Sequence, residues 1–226
     1  MDDEPIEIPA QVPVFPLPEV VLFPRAVLPL HIFEPRYRTM AVDALAGAGI
    51  LAIALLKPGF EPRYYTLRAP IHPVIGLGQI VASEQLDDGN YNILLHGVAR
   101  ARIREEVPHK PYRVARIELL ESPAVAPGGA LKESRQTLYK TVRQEFVGDH
   151  EIREHWLRLF KTKLELGELA DLIASVLPID AELRQSLLAE PDPVARATTL
   201  CGHIRILSAV TRARRTPDLA SEWAQN

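Results

Sequence analysis

A single cysteine, Cys201, stands in 226 residues, so no internal disulfide can form, and the chain reads as one from a reducing compartment. No run of 18 apolar residues occurs that could serve as a membrane-spanning helix. The opening MDDEPIEIPA is acidic where a secretory signal would be basic and then apolar, which predicts a cytoplasmic protein. The net charge of −3 sets up no field strong enough to gather nucleic acid or an anionic membrane. No Gly-Lys dipeptide is present, which excludes a phosphate-binding P-loop within this sequence and any ATP-driven step built on one.

What the chain has in excess is proline, and it is unevenly placed: 16 of the 20 fall in residues 1–127. The change of texture near Ser122-Pro123-Ala124-Val125-Ala126-Pro127-Gly128-Gly129 predicts a linker over 122–129, between a domain at 8–121 and another at 130–215. Within Val12–Arg38, six prolines rule out a long helix. Each fixes its own φ, lacks an N–H and pushes its predecessor into extended geometry, so short strands cut by bends are expected. Val20-Val21-Leu22-Phe23 and Ala26-Val27-Leu28 are read as buried strand pieces, and Glu34-Pro35 as a helix start with proline in the first turn.

The helix so begun, Arg36–Ala46, carries Tyr37, Met40, Ala41, Ala44 and Leu45 as an apolar stripe and stops at Gly47 and Gly49. Ile50–Leu56 is a continuous apolar run of buried-strand length. Strands are expected over Val74–Ser83 and Tyr91–Arg104, joined by Asp87-Asp88-Gly89-Asn90, which carries hairpin-turn chemistry. Tyr112–Leu120 alternates, with Ala115, Ile117 and Leu119 opposite Arg116 and Glu118. Many short strands with one small helix predict a closed or nearly closed barrel.

After the linker the period becomes helical. Leu131, Leu138, Val142 and Phe146, then Ile152, Trp156, Leu159, Phe160 and Leu164, keep helical spacing, and Leu169, Leu172, Ile173, Val176 and Leu177 form one face stopped by Pro178. Asp180 is the expected N-cap of a short helix to Leu188. Asp192-Pro193 opens a last helix with Val194, Ala197, Cys201, Ile204 and Leu207 inward. The fold class is therefore α+β, a barrel with one short helix followed by a bundle of five.

The string PLHIFEPRY, Pro29 to Tyr37, with FPLPEVVLFP, Phe15 to Pro24, resembles the opening of the Lon N-terminal domain family. The hairpin from Leu86 to Arg100 and the stretch LADLIASVLPI, Leu169 to Ile179, extend the likeness over most of 12–207. Ile75–Ile80 departs from the family's single glycine and reads as a strand variant. The resemblance implies a PUA-like barrel with a helical extension. It also implies a non-catalytic module, without the ATPase and protease modules of Lon, that binds unfolded or apolar polypeptide segments in protein quality control. Its partners would be polypeptide substrates or a client protein, with a protease encoded elsewhere as a further candidate.

Other chemistry fails on spacing. Gly76-Leu77-Gly78 lacks the third glycine of a dinucleotide fingerprint, so no cofactor is expected. His150 and His155 are five apart, ~140° around a helix, and cannot share a metal from one face. His31 is read as a structural residue at a strand end, Glu34 and Arg36 as a helix-start ion pair, Cys201 as core, and Arg205, Arg212, Arg214 and Arg215 as complements to a helix C-terminus. The alternative to polypeptide binding is an RNA-binding PUA-like module. The barrel half is net acidic and lacks closely spaced strand aromatics, which disfavours it. The residues expected at a polypeptide-binding surface are Phe15, Leu17 and Phe23 of the proline-rich entry and the Tyr64-Tyr65 pair, aromatic or apolar groups beside bends.

Overall fold

The computed structural model describes residues 6–108, 110–121, 129–145 and 150–215, apart from the side chains of Ile152, Arg214 and Arg215. The expected linker, save Gly129, and Phe146 lie outside the described residues. By contacts the chain divides into a strand unit, Met1–Pro123 with Asp171–Pro191, and a helical unit, Ala124–Ala170 with Asp192–Asn226. This partition differs from the expected boundaries by giving 171–191 to the strands.

Six strands build the strand unit: β1 Gln11–Leu17, β2 Val27–Ile32, β3 Ile50–Leu55, β4 Val74–Gln85, β5 Tyr91–Val107 and β6 Arg113–Leu119. Their order is β2-β5-β4-β3-β1-β6, and β6 also pairs with β5. Five strands thus close into a barrel, while β2 is left at an edge. The 17 residues of β5 make this possible, since Tyr91–His96 pair with β2 and Ala101–Val107 with β6. β1 and β3 run parallel, and the connection between them contains β2 and helix α1, Pro35–Ala46. The hairpin between β4 and β5 forms as expected, with Gly89 at φ 79° and the Asp88 carboxylate accepting from the Asn90 N–H at 2.9 Å.

β3 is buried on both faces, which explains its unbroken apolar run. Leu51 and Ile53 join a cluster with Phe15, Leu22, Tyr37 and Met40, whereas Ile50, Ala52 and Ala54 join Val12, Val14, Ile75 and Leu77. α1 starts as the sequence predicts, with Glu34 extended at the N-cap and Pro35 in the first turn, and it buries Tyr37, Met40, Ala41 and Ala44. Leu45, placed on the same stripe by spacing, is instead exposed.

Two expectations about the entry segment are corrected. Val20–Phe23 is not a strand: Leu22 and Phe23 are buried, yet no ladder bonds pair them, because this stretch crosses over β4 and β5 at backbone distance. A Cβ added to Gly76 would meet the Leu22 carbonyl oxygen at 1.9 Å, and one added to Gly97 the Phe23 oxygen at 2.0 Å. Glycine is therefore the residue that admits the crossing. The Gly76-Leu77-Gly78 variation is this approach written in sequence. The second correction is β2, which begins at Val27 and is not buried: its residues alternate in exposure along the strand.

The fifth helix, α5 Ala181–Ala189, packs on β4. The Gln185 amide donates to the Val74 carbonyl at 2.9 Å, and the buried Arg100 guanidinium donates to the carbonyls of Leu188 at 3.2 Å and Glu190 at 2.8 Å. These bonds, which span about a hundred residues of chain, are the physical reason 171–191 groups with the barrel. Asp180 caps α5 as predicted, accepting from the Leu183 N–H at 2.7 Å.

The helical unit holds α2 Ala130–Glu145, α3 His150–Leu159 and α6 Pro193–Arg215, and the partition falls inside α4, Leu166–Val176. α2 packs on α6 and α3. Leu138, Val142, Ala197, Cys201 and Ile204 are buried as their spacing predicts, but Val176, expected on the inner face of α4, is 59% exposed. Arg135 reaches from α2 to accept nothing and donate to three carbonyls past the end of α3: Phe160 at 2.8 Å, Thr162 at 3.2 Å, and Leu164. Arg212 pairs with Glu145, and Arg205 donates to Thr141 at 3.4 Å, so these two cations bind α2. The side chains of Arg214 and Arg215 lie outside the description.

Candidate functional site

The turn Phe23–Ala26, closed by the Ala26 N–H on the Phe23 carbonyl at 3.2 Å with Arg25 at φ 65°, delivers the chain onto β5 as β2. From there the pleat sends Leu28, Leu30 and Ile32 inward and Val27, Pro29 and His31 outward, and Phe33 follows just past the strand. Both sets are apolar except His31. On β5 the inward set is Ile93, Leu95 and Gly97, which leaves Asn92, Leu94 and His96 outward.

Register assembles these outward residues into rows. Pro29 lies opposite Leu94 and Leu94 opposite Ala82, while His31 lies opposite Asn92 and Asn92 opposite Glu84. The bulge between Ile80 and Ala82 throws Val81 outward, 54% exposed. Val27 is 58% and Phe33 62% exposed. A hollow of about 500 Å³ lies over Pro29, His31, Ala82, Glu84, Asn92 and Leu94. An antiparallel sheet with one solvated face ordinarily carries polar residues there, so apolar groups across three strands mark a surface for something else. Among the described residues β2 pairs with β5 alone, so its far edge has no strand partner.

Of the polar groups on this face, His31 and Asn92 engage each other. His31 Nδ1 lies 2.9 Å from Asn92 Oδ1, and its ring stacks beside Phe33 at 6.2 Å. At the start of α1, Arg36 donates to Glu34 at 3.0 Å and to the Tyr64 carbonyl at 3.4 Å, and its guanidinium lies 4.4 Å from the Tyr37 ring centre. Burial pushes the Tyr37 phenol up to about 12 and also raises Tyr64. Asp43, further along α1, accepts from Tyr112 at 2.5 Å and Lys110 at 2.9 Å, which holds its carboxyl below the usual range.

The five residues expected to bind are not brought together on one surface. Phe15 is 6% exposed and packs against Tyr37, Phe23 is fully buried under the crossing, and Leu17 is half-buried against the same core. The two phenylalanines are thereby corrected from surface groups to core: bends placed them where the chain turns inward. Tyr64 is half-buried against Phe60, and Tyr65, at 81% exposure, stands edge-on to Tyr64. Sequence reasoning missed Val27, Phe33, Val81 and Leu94. The alternation along β2 is one of exposure, not of residue type: both faces of that strand are apolar, so its sequence carries no period-2 signal.

A sequence model of the ATP-dependent protease La (LON) substrate-binding domain matches residues 11–205. The chain belongs to the Lon substrate-binding domain family. It is 30% identical over 201 residues to the Lon protease of Trichlorobacter lovleyi and 26% identical over 190 residues to Lon protease 2 of Myxococcus xanthus, covering 87% and 84% of this chain. It covers only 24% and 23% of those proteins, about a quarter of their length. Among solved structures, the Lon N-terminal domain protein from Xanthomonas campestris superposes with a TM-score of 0.60 at 21% identity, covering 85% of this chain and 97% of that one. The N-terminal domain of the Mycobacterium avium complex Lon protease gives 0.64 at 19%, covering 86% and 97%. These two likenesses show the Lon N-terminal fold: a barrel-like sheet followed by helices. No helix among the described residues is long and apolar enough to cross a membrane.

Proposed function

We propose that the outer face of β2-β5-β4 binds extended apolar stretches of unfolded polypeptide, making this chain a substrate-recognition module that acts by binding and carries no chemistry of its own. The supporting observation is the set of exposed apolar side chains, Val27, Pro29, Phe33 and Val81, with half-buried Leu94 among them, beside an edge strand whose far side has no strand partner among the described residues. An incoming strand gains main-chain bonds from such an edge and side-chain burial from such a face. The family, a substrate-binding domain of an ATP-dependent protease, makes a polypeptide the occupant in keeping with that chemistry. Delivery to a protease, as an adaptor in protein quality control, is the physiological role we infer. Tyr65 and Tyr64 extend the same reading as secondary contacts.

The test is fluorescence anisotropy of a reduced, carboxymethylated client with the wild type and with F33D/V81D. Losing two apolar side chains that a bound client would cover removes on the order of 3 kcal/mol of contact, so affinity should fall at least tenfold. The urea midpoint should hold, because both positions are exposed. Undiminished binding by F33D/V81D would overturn the proposal. So would retention of single-stranded RNA with steep salt dependence in place of client binding, which would favour the RNA-binding alternative.

A further inference from the structure

A second groove lies in the strand unit between the end of β3 and the start of α5, and we propose that it docks a polypeptide segment bearing a large apolar residue flanked by Lys or Arg. This inference goes beyond the outer-face reading and does not depend on it. The groove holds about 780 Å³, the size of a few side chains. Its floor is apolar: Leu55 and Leu56 are buried, and Pro18, Phe60 and Ile179 form its walls. Its rim is acidic, with Glu19, Glu61, Asp180 and Glu182 around it.

The charges decide the occupant. Arg184 is the single cation among the lining residues, and its guanidinium already donates to the Leu177 carbonyl at 3.0 Å. Asp180 spends one oxygen on the α5 cap, and Glu182 Oε1 lies 3.3 Å from His72 Nε2. Glu19 and Glu61 make no ion pair among the described residues, and Lys57 is not part of the lining. Four carboxylates against one engaged guanidinium leave a negative mouth over an apolar floor. An anionic or purely apolar ligand would face repulsion or leave the rim unmatched, whereas a cationic segment with one apolar anchor satisfies both. Glu19 is held at φ 60°, a conformation that fixes this rim position on a short turn.

Anisotropy of a labelled Lys-Leu-Phe-Lys peptide and of its Glu-Leu-Phe-Glu counterpart separates the possibilities. The cationic peptide should bind, the acidic one should not, and raising NaCl from about 50 to about 500 mM should weaken binding severalfold. E61K/E182K should lower affinity at least tenfold and the milder E61Q/E182Q by less, with unchanged urea midpoints, while F33D/V81D should leave it intact. Equal binding of both peptides, or full binding by E61K/E182K, would overturn the proposal. Loss confined to F33D/V81D would assign the peptide to the outer face instead. A wild-type dimer in sedimentation velocity that E61K/E182K abolishes, without any peptide binding, would give the groove to a second copy and likewise overturn it.

Discussion

In the strand unit the chain crosses itself at backbone distance, and the carbonyls of Leu22 and Phe23 occupy the space a side chain on Gly76 or Gly97 would need. In the helical unit Gly202 sits in α6 with nothing within 4 Å of where a Cβ would be. There, long polar side chains reach between elements: Arg135 binds three carbonyls beyond α3, and Arg212 pairs with Glu145. The contrast shows which unit tolerates substitution. Fixed backbone packing underlies the barrel that displays β2, whereas side chains that can be exchanged hold the helices.

Gly76→Ala or Gly97→Ala should produce the largest effect. A methyl group cannot share space with a carbonyl, so the crossing must move, at a cost of about 3 kcal/mol or more in urea unfolding. Next comes Arg100→Met, which strips the carbonyls of Leu188 in α5 and Glu190 just past it of a charged donor and should cost about 2 kcal/mol. Its signature is faster hydrogen exchange in α5. Arg135→Met, in the more exposed network of the helical unit, should cost about 1 kcal/mol. Gly202→Ala reverses the sign, stabilising by about 0.5–1 kcal/mol through helix propensity alone. A Gly202→Ala as damaging as Gly76→Ala would break the comparison.

The remaining effects are silent near neutral pH and appear only at its extremes. Burial raises Tyr37 to about 12, so the folded chain keeps a proton that the unfolded chain releases near pH 10. That stability is complete below pH 10 and is lost as pH climbs through 12, and Tyr37→Phe should flatten the alkaline limb of the urea midpoint. Asp43 is the opposite case. The bonds from Tyr112 and Lys110 depress its pKa, so its contribution is present above the ordinary carboxylate range and disappears as pH falls through the depressed value. Asp43→Asn should flatten the acid limb.

The legible parts of the fold were those fixed locally. Pro35 sets the φ of the first turn of α1, Gly89 supplies the positive φ of the hairpin, and Asp180 caps its own helix, so each could be read from its neighbours. Val20–Phe23 could not, because an apolar run reads alike whether it pairs in a ladder or lies across one, and what decides is the distant Gly76 and Gly97. Phe15 and Phe23 beside bends looked accessible for the same reason. The exposed face of β2 was hidden by a strand apolar on both sides, where periodicity cannot tell core from surface. PLHIFEPRY, which carries the family resemblance, also contains Pro29, His31 and Phe33 of the proposed face.

Exposed apolar residues also occur on the helical unit, where Ile206 and Val210 lie one turn apart on α6 at 58% and 44% exposure. The direct test therefore places a photocrosslinking residue at Phe33, at Val81 and at Val210 in turn and mixes each protein with an unfolded client. Adducts at 33 and 81 that far exceed those at 210 are the predicted result. Equal yield at 210, or no adduct from the strand face, would contradict the assignment of that face to polypeptide capture.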